Sequence, residues 1–325
     1  MMRVNKDTWL SADTLRDFLG KTDYRKFARW PRVTEVGVVS FLHDSLQKYG
    51  ISDRLLLARR ADDITAVLAY RDLDWDSNHY GFACANIDYL LIDRAFDPAD
   101  SARSLDQLLG GFMQHCRENR VRFVSVSVGS WSMPANLALQ RFGFRYIQTW
   151  IDGIFDDYQR LAHVVPKECC GLIRPEEIAF FREMSAQSYF DGGRFYLDAN
   201  FDRQKIAAMY ARLIDSSYQN DDIMLVYRID DRPVGLFIFK KVTSYRTFSD
   251  LKVAAGRYLI IDPAIRGQNI GCDFFEQALM YLQDKCDLIT TGLEIHNLPS
   301  LNLHAGLGFR FNCSHNVYHW WSDSL

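Results

Sequence analysis

Two passages about half the chain apart follow one plan. Arg122-Phe123-Val124-Ser125-Val126-Ser127-Val128 leads into Gly143-Phe144-Arg145-Tyr146, and residues 288–295 lead into Gly308-Phe309-Arg310-Phe311. Each passage reads as strand, short helix, Gly-Phe and strand. A spacing of roughly half of 325 residues points to a duplicated unit rather than a short repeat array. A chain of this length also exceeds one ordinary core. The seam is expected near Val164-Val165-Pro166-Lys167-Glu168-Cys169-Cys170-Gly171, where Pro and Gly interrupt any regular pattern, giving domains of 1–165 and 170–325. One large mixed domain is the competing organisation.

Periodicity supplies the elements of each half. In the first, 55–70, 86–92 and 121–128 read as strands and 104–118 as a helix. In the second, 176–188, 203–217 and 272–285 read as helices, and 223–229, 234–242 and 253–261 as strands. The expected class is α/β with mixed sheets.

Composition narrows the ligand. A net charge of −3 gives no general attraction to nucleic acid or an anionic membrane, so an anionic ligand has to be held by local groups. Aromatic residues at 14% suit clefts walled by rings. The seven cysteines include no C-x-x-C pair, so reduced thiols are expected and no metal. Residues 1–10 carry no apolar leader, and no run is long and apolar enough to span a bilayer. A cytoplasmic protein without membrane insertion is expected; its oligomeric state is not legible.

The chemistry concentrates where Tyr258-Leu259-Ile260-Ile261-Asp262-Pro263 runs into Arg266-Gly267-Gln268-Asn269-Ile270-Gly271 and a helix. A strand feeding a tight turn and then a helix aims backbone N–H groups and the positive end of a helix dipole at one point, which suits a pyrophosphate. There is no Gly-Lys-Ser/Thr ending for a triphosphate and no Gly-x-Gly-x-x-Gly spacing for a Rossmann turn. The turn and strand resemble the GCN5-related N-acetyltransferase (GNAT) superfamily, whose coenzyme loop reads Gln/Arg-x-x-Gly/Ala-x-Gly/Ala after a splayed strand. The resemblance implies that acyl-CoA is the co-substrate, that the N–H of Ile261 binds the thioester carbonyl, and that Arg266, Gly267, Gln268, Asn269, Ile270 and Gly271 form its pyrophosphate turn. Asn269 replaces the usual middle glycine, and Asn tolerates left-handed backbone better than other side chains do.

Asn297, Ser300, His304, Gly308 and Phe309 match a second block of the same family. Asn297 is implied as a pantetheine and catalytic-site residue, and also reads as the cap of the following helix. His304 stands where the family has a tyrosine that protonates the departing thiolate. It reads either as that acid, or a relay from the amine, or as a helix histidine bonded to a backbone carbonyl. Glu294 and His79 are the alternative bases. No Ser-His-Asp order is visible, so direct attack of an amine in a ternary complex is expected.

The first half loses the coenzyme signals. Its loop, Asp93-Arg94-Ala95-Phe96-Asp97-Pro98-Ala99-Asp100-Ser101, has no glycine and three aspartates that repel a pyrophosphate. Tandem GNAT-like domains with a degenerate N-terminal one are therefore expected. Leu73-Asp74-Trp75-Asp76-Ser77-Asn78-His79-Tyr80-Gly81-Phe82 and Gly193-Arg194-Phe195-Tyr196-Leu197-Asp198-Ala199-Asn200-Phe201 resemble signatures of TDP-fucosamine (dTDP-4-amino-4,6-dideoxygalactose) N-acetyltransferases. That narrower resemblance implies a nucleotide-linked amino sugar as acceptor, held by Tyr189, Arg194, Phe195 and Tyr196, and a role in bacterial surface polysaccharide such as O-antigen. The rival readings are an antibiotic or peptide amine as acceptor, and a non-catalytic acyl-CoA sensor.

Overall fold

The computed structural model describes residues 2–3, 12–61, 63–187, 192–243, 245 and 249–322. In chain order the first half gives β1 (Met2–Arg3), α1 (Ala12–Lys21), α2 (Glu35–Ile51), β2 (Leu55–Arg60), β3 (Asp63–Asp72), α3 (Asp74–Tyr80), β4 (Cys84–Ile92), α4 (Pro98–Glu118), β5 (Phe123–Gly129), α5 (Met133–Arg141) and β6 (Arg145–Phe155). The second gives β7 (Cys170–Leu172), α6 (Ile178–Gln187), α7 (Arg203–Gln219), β8 (Ile223–Ile229), β9 (Arg232–Val242), β10 (Val253–Ile261), α8 (Ile270–Leu282), β11 (Leu288–Glu294), α9 (Leu298–Leu307) and β12 (Arg310–Trp321). The stretch 55–70, read from sequence as one strand, is a hairpin whose turn residue Ala61 has a φ of 53°. The α1 and α2 helices had no counterpart in the sequence reading.

Chain contacts divide the molecule into two units, residues 1–150 with 313–325, and residues 151–312. The division falls inside β6 rather than in the Pro- and Gly-containing stretch expected at 165–170. The last strand also belongs to the first unit, because residues 315–321 of β12 pair antiparallel with β5 from Gly129 to Phe123. Continuous strands, not the interrupted 164–171 segment, carry the chain across the boundary.

The first unit has strands in the order β1-β2-β3-β4-β5-β12, in which β4 and β5 run parallel from Cys84↔Phe123 to Ile87↔Val126. One core packs α4 and α5 on this sheet through Leu105, Leu108, Leu109, Phe112, Leu139 and Phe144. The second unit has the order β6-β11-β10-β9-β8-β7. Its sheet is covered by α8 through Phe274, Phe275 and Leu279 on one face, and by α6 and α7 through Phe181, Met184 and Ile214 on the other. Arg228 and Glu177 form an ion pair 7% and 5% exposed, with Nε and Nη2 each 2.7 Å from a carboxylate oxygen. The pair anchors the start of α6 to β8.

The internal repeat holds at the level of geometry. Gly143 after α5 and Gly308 after α9 have φ of 80° and 93°, the left-handed conformation that lets a helix stop and a strand begin. In both units a parallel pair, β4–β5 or β10–β11, lies on either side of a crossover helix.

Candidate coenzyme and acceptor site

The parallel pairing of β10 with β11 starts at Val253↔Leu288 and ends at Gly256↔Thr291. Beyond it, residues 257–261 keep β9 on one edge only. A register shift between Gly256 and Tyr258 marks a bulge at Arg257. The bulge reverses the alternation of the strand: Ala254 faces the α8 core, whereas Tyr258 and Ile260 face the α6–α7 core and Leu259 and Ile261 turn toward α8. The family resemblance implies a strand that splays at a bulge before the turn, but no single residue marks the bulge's position.

The hydrogen-bond ladder fixes which backbone groups face the gap. Asp262 N–H donates to Val234 O over 2.8 Å, and Ile261 lies opposite Gly235. Alternation along an antiparallel pair then turns the N–H and C=O of Leu259 and Ile261 away from β9. Arg266 Nε donates to Ile261 O over 3.3 Å from that side. The N–H of Ile261 expected at the thioester carbonyl is thus directed into the splay.

The turn that follows leaves backbone donors open. Asp262 Oδ1 accepts from Ala264 N at 2.9 Å, Gly267 has a φ of 83° and Asn269 one of 61°, so Asn269 adopts the left-handed geometry expected of it. Arg266, Gly267, Gln268 and Asn269 are exposed. Among the described residues no side chain caps α8, which leaves its first N–H groups, from Ile270 to Cys272, for an external acceptor. Ile270 itself packs toward the core, so its contribution is its backbone. Gly271 lies close under the strand, since a Cβ there would sit 3.3 Å from Ile261 Cδ1.

One carboxylate stands in that first turn. Burial works against ionisation of Asp273, but bonds from Lys167 Nζ at 2.6 Å and from the Tyr227 hydroxyl more than offset it and hold its carboxyl below the usual range. Its charge is therefore matched by Lys167 rather than left to repel an incoming phosphate.

The corresponding helix in the first unit is already filled. Asp97 caps α4, accepting from Ala99 N at 2.8 Å and Asp100 N at 2.9 Å, and these two bonds hold its carboxyl below the usual value. The anion that α8 is free to receive is supplied to α4 by its own chain. This is the physical content of a degenerate coenzyme loop.

His304 does not occupy an acid's position. It is 3% exposed and packed edge-on against Phe275 and Phe309, each with ring centroids 4.8 Å away. Its Nδ1 lies 2.7 Å from Ser300 O, which can only accept, so that nitrogen carries the proton. Burial pushes the imidazolium down to about 4, against a smaller raising effect of the Ser300 bond. At neutral pH the ring is neutral and its N–H is spent on its own helix; the thiolate-protonating reading gives way to the helix-histidine one. Asn297 caps α9 through Oδ1, 3.2 Å from Ser300 N, and is exposed at the exit of β11.

The acceptor residues divide. Tyr189 lies outside the described residues. Phe195 is 7% exposed and meets Phe201 at 5.1 Å and 89°, so it is a core ring rather than a stacking surface for a base. Arg194 lies over the Phe195 ring at 4.6 Å and remains partly exposed. Tyr196 stacks on Tyr210 at 6.2 Å and 3°, and Tyr210 on Tyr258 at 5.7 Å and 29°. The column joins the turn before α7, α7 itself and the splayed part of β10. Sequence reading chose Tyr196 but missed Tyr210 and Tyr258 as its partners, since only the fold brings them together. Burial pushes the Tyr210 hydroxyl up to about 12, with Arg194 lowering it and Glu294 and Tyr196 raising it. Of the alternative bases, Glu294 ends β11 beside this column, while His79 stacks on Trp75 in the first unit at 5.4 Å and 8°.

Among described residues, no helix is long and apolar enough to cross a membrane. A search of curated proteins finds no match. Residues 182–309, which contain the splay, the turn and α9, match the Acetyltransferase (GNAT) family. Among solved structures, a tandem GNAT protein from the clavulanic acid biosynthesis pathway is 14% identical, with a TM-score of 0.55 over 100% of this chain and 98% of the other. A GCN5-related N-acetyltransferase from Sphaerobacter thermophilus is 9% identical, with a TM-score of 0.55 over 87% and 85%. A GCN5-related glucosamine N-acetyltransferase region of a fungal multi-domain GH3 beta-N-acetylglucosaminidase is 15% identical, with a TM-score of 0.54 over 95% of this chain and 37% of that one. The chain therefore has the tandem GNAT fold, and its segment 182–309 is similar to the Acetyltransferase (GNAT) family.

Proposed function

We propose that the second unit transfers an acyl group from acyl-CoA to the amine of a nucleotide-linked amino-dideoxy sugar, by direct attack in a ternary complex. The observation that carries this reading is the loss of β10–β11 pairing after Gly256↔Thr291, directly before an exposed turn and an uncapped helix. The residues present fit the co-substrate. Gly267 to Gly271 and the N-terminus of α8 receive the pyrophosphate, with Arg266 alongside. The pantetheine amide lies along the open edge of residues 257–261, and Asn297 at the exit of β11 is its side-chain partner. Ile261 N–H holds the thioester carbonyl and stabilises the oxyanion as the amine adds to it. The acceptor ammonium first loses one proton to solvent and attacks as the free amine; the C–S bond then breaks, and the proton shed by the new amide nitrogen passes through solvent to the departing CoA thiolate. A free thiol has a pKa of about 8.5, so this leaving group needs no assistance from His304.

The acceptor assignment is supported by the resemblance of 193–201 and by the tyrosine column beside the splay. The fungal neighbour is named for glucosamine, another amino sugar. Orientation on a ring-walled surface supplies most of the acceleration in a mechanism without a covalent enzyme intermediate.

The test is thiol release from acetyl-CoA, with acylated product identified by mass, against dTDP- and UDP-linked amino sugars carrying C3 or C4 amines, with an aminoglycoside and a peptide amine as comparators. Acylation of a sugar nucleotide ahead of the comparators is expected. Preference for the aminoglycoside or peptide would overturn the acceptor, and CoA binding without transfer to any amine would overturn the reaction.

A further inference from the structure

On the α6–α7 face of the second unit, the walls of the splay carry charges of both signs. Ile289 on β11 faces the α8 core, so the period of two places Gly292 and Glu294 on the opposite face, with Tyr258 and Ile260 of β10. Gly292 is exposed in the middle of its strand, which marks an open notch beyond the last β10–β11 pair. Tyr258 and Glu294 flank that notch, and the column Tyr258–Tyr210–Tyr196 rises from it to the turn that carries Arg194. The turn is docked on the exit of β11: a Cβ on Gly192 would lie 2.3 Å from His296 Nε2, two residues past Glu294. The wall around the tyrosine column therefore carries both a carboxylate, Glu294, and a guanidinium, Arg194. The effect of both charges on the Tyr210 hydroxyl fits this placement.

We propose that this surface selects a dipolar acceptor, in which Glu294 holds the ammonium group, a ring lies along Tyr196 and Tyr210, and Arg194 holds an anionic phosphate on the far side of that ring. The inference rests on the acyltransferase reading and specifies its acceptor: an amine and a phosphate on one ring, not a polycation and not a neutral amine. Arg194 suits the task because stacking on Phe195, itself fixed against Phe201, holds the planar guanidinium in one orientation. A polycationic amine satisfies Glu294 but places positive charge against Arg194.

Glucosamine and glucosamine 1-phosphate form a matched pair that differs by the phosphate. Their binding to the CoA complex is measured by calorimetry, separately from turnover. Wild type is expected to bind the phosphate at least about tenfold more tightly. Arg194→Gln should erase that difference while leaving glucosamine unchanged, and Arg194→Lys should restore part of it. Glu294→Gln should weaken both amines yet leave N-acetylglucosamine 1-phosphate unaffected, because that ligand has no ammonium group. Equal affinity for the pair in wild type, or an Arg194→Gln variant that weakens both equally, overturns the proposal. A retained phosphate preference with no acyl transfer to any amine would instead overturn the transferase reading and leave this surface standing.

Discussion

Asn269→Asp changes one atom of the proposed coenzyme turn and supplies the second unit with what Asp97 supplies to the first, a carboxylate at the helix start. Asn269 is exposed, at φ 61°, and its side chain makes no capping bond. The substitution therefore removes no contact within the protein. A negative charge at a helix N-terminus contributes roughly 0.3–1 kcal/mol to stability, so the free protein should unfold at the same temperature or slightly higher. A pyrophosphate bound at this turn, as proposed, is affected in the opposite sense. At a separation of about 5 Å in water, each phosphate charge is repelled by about 0.8 kcal/mol, and two charges give ~1.6 kcal/mol, or about fifteenfold in Kd. Calorimetric titration of CoA into both proteins at low salt measures the difference, and it should shrink as ionic strength rises. An unchanged Kd, or a loss that ignores salt, would refute the assignment of this turn to the pyrophosphate.

Other perturbations test the frame around the site. The His304 imidazolium is held at about 4 in the fold against 6.5 free, so the unfolded chain binds the extra proton first. Its contribution is fully present above pH 6.5 and is lost as pH falls toward 4, on the order of 3 kcal/mol; His304→Phe should flatten that part of a pH-resolved urea titration, and an unaltered slope contradicts the burial argument. Arg228→Met leaves the Glu177 carboxylate buried without its partner and should cost about 3–5 kcal/mol, with Arg228→Met/Glu177→Leu recovering most of it in chemical denaturation. Gly308→Ala forces a side chain into φ 93° and a Cβ to 2.6 Å from Arg160 Cδ, so at least ~1 kcal/mol should be lost; an unchanged melting temperature would show that the turn relaxes freely.

What the sequence disclosed was local backbone chemistry. Gly143, Gly308, Gly267 and Asn269 were readable because only glycine and a few polar residues enter left-handed geometry cheaply, and all four have positive φ. The aspartates of 93–101 were readable as hostile to phosphate, and Asp97 turned out to occupy the helix start itself. The splay was implied by the family resemblance, but its position at Arg257 was not readable, because the flanking residues Gly256 and Tyr258 suit a strand on either face. Contacts group residues 313–325 with the first unit because β12 pairs with β5, a long-range partnership that nothing local in the sequence encodes. His304 left two readings open for a similar reason: position in a motif identifies a residue, but only Phe275, Phe309 and the Ser300 carbonyl show where its N–H is bonded. Phe195 likewise matched a signature while serving the core.

Amide hydrogen exchange with and without CoA tests the central claim most directly, because it reads both loops in one experiment. New protection at Ile261 and from Gly267 to Cys272, with none from Asp93 to Ser101, is the result expected of one open and one self-filled helix start. Protection centred on 93–101, or none at the α8 turn at CoA concentrations that saturate calorimetric binding, would contradict it.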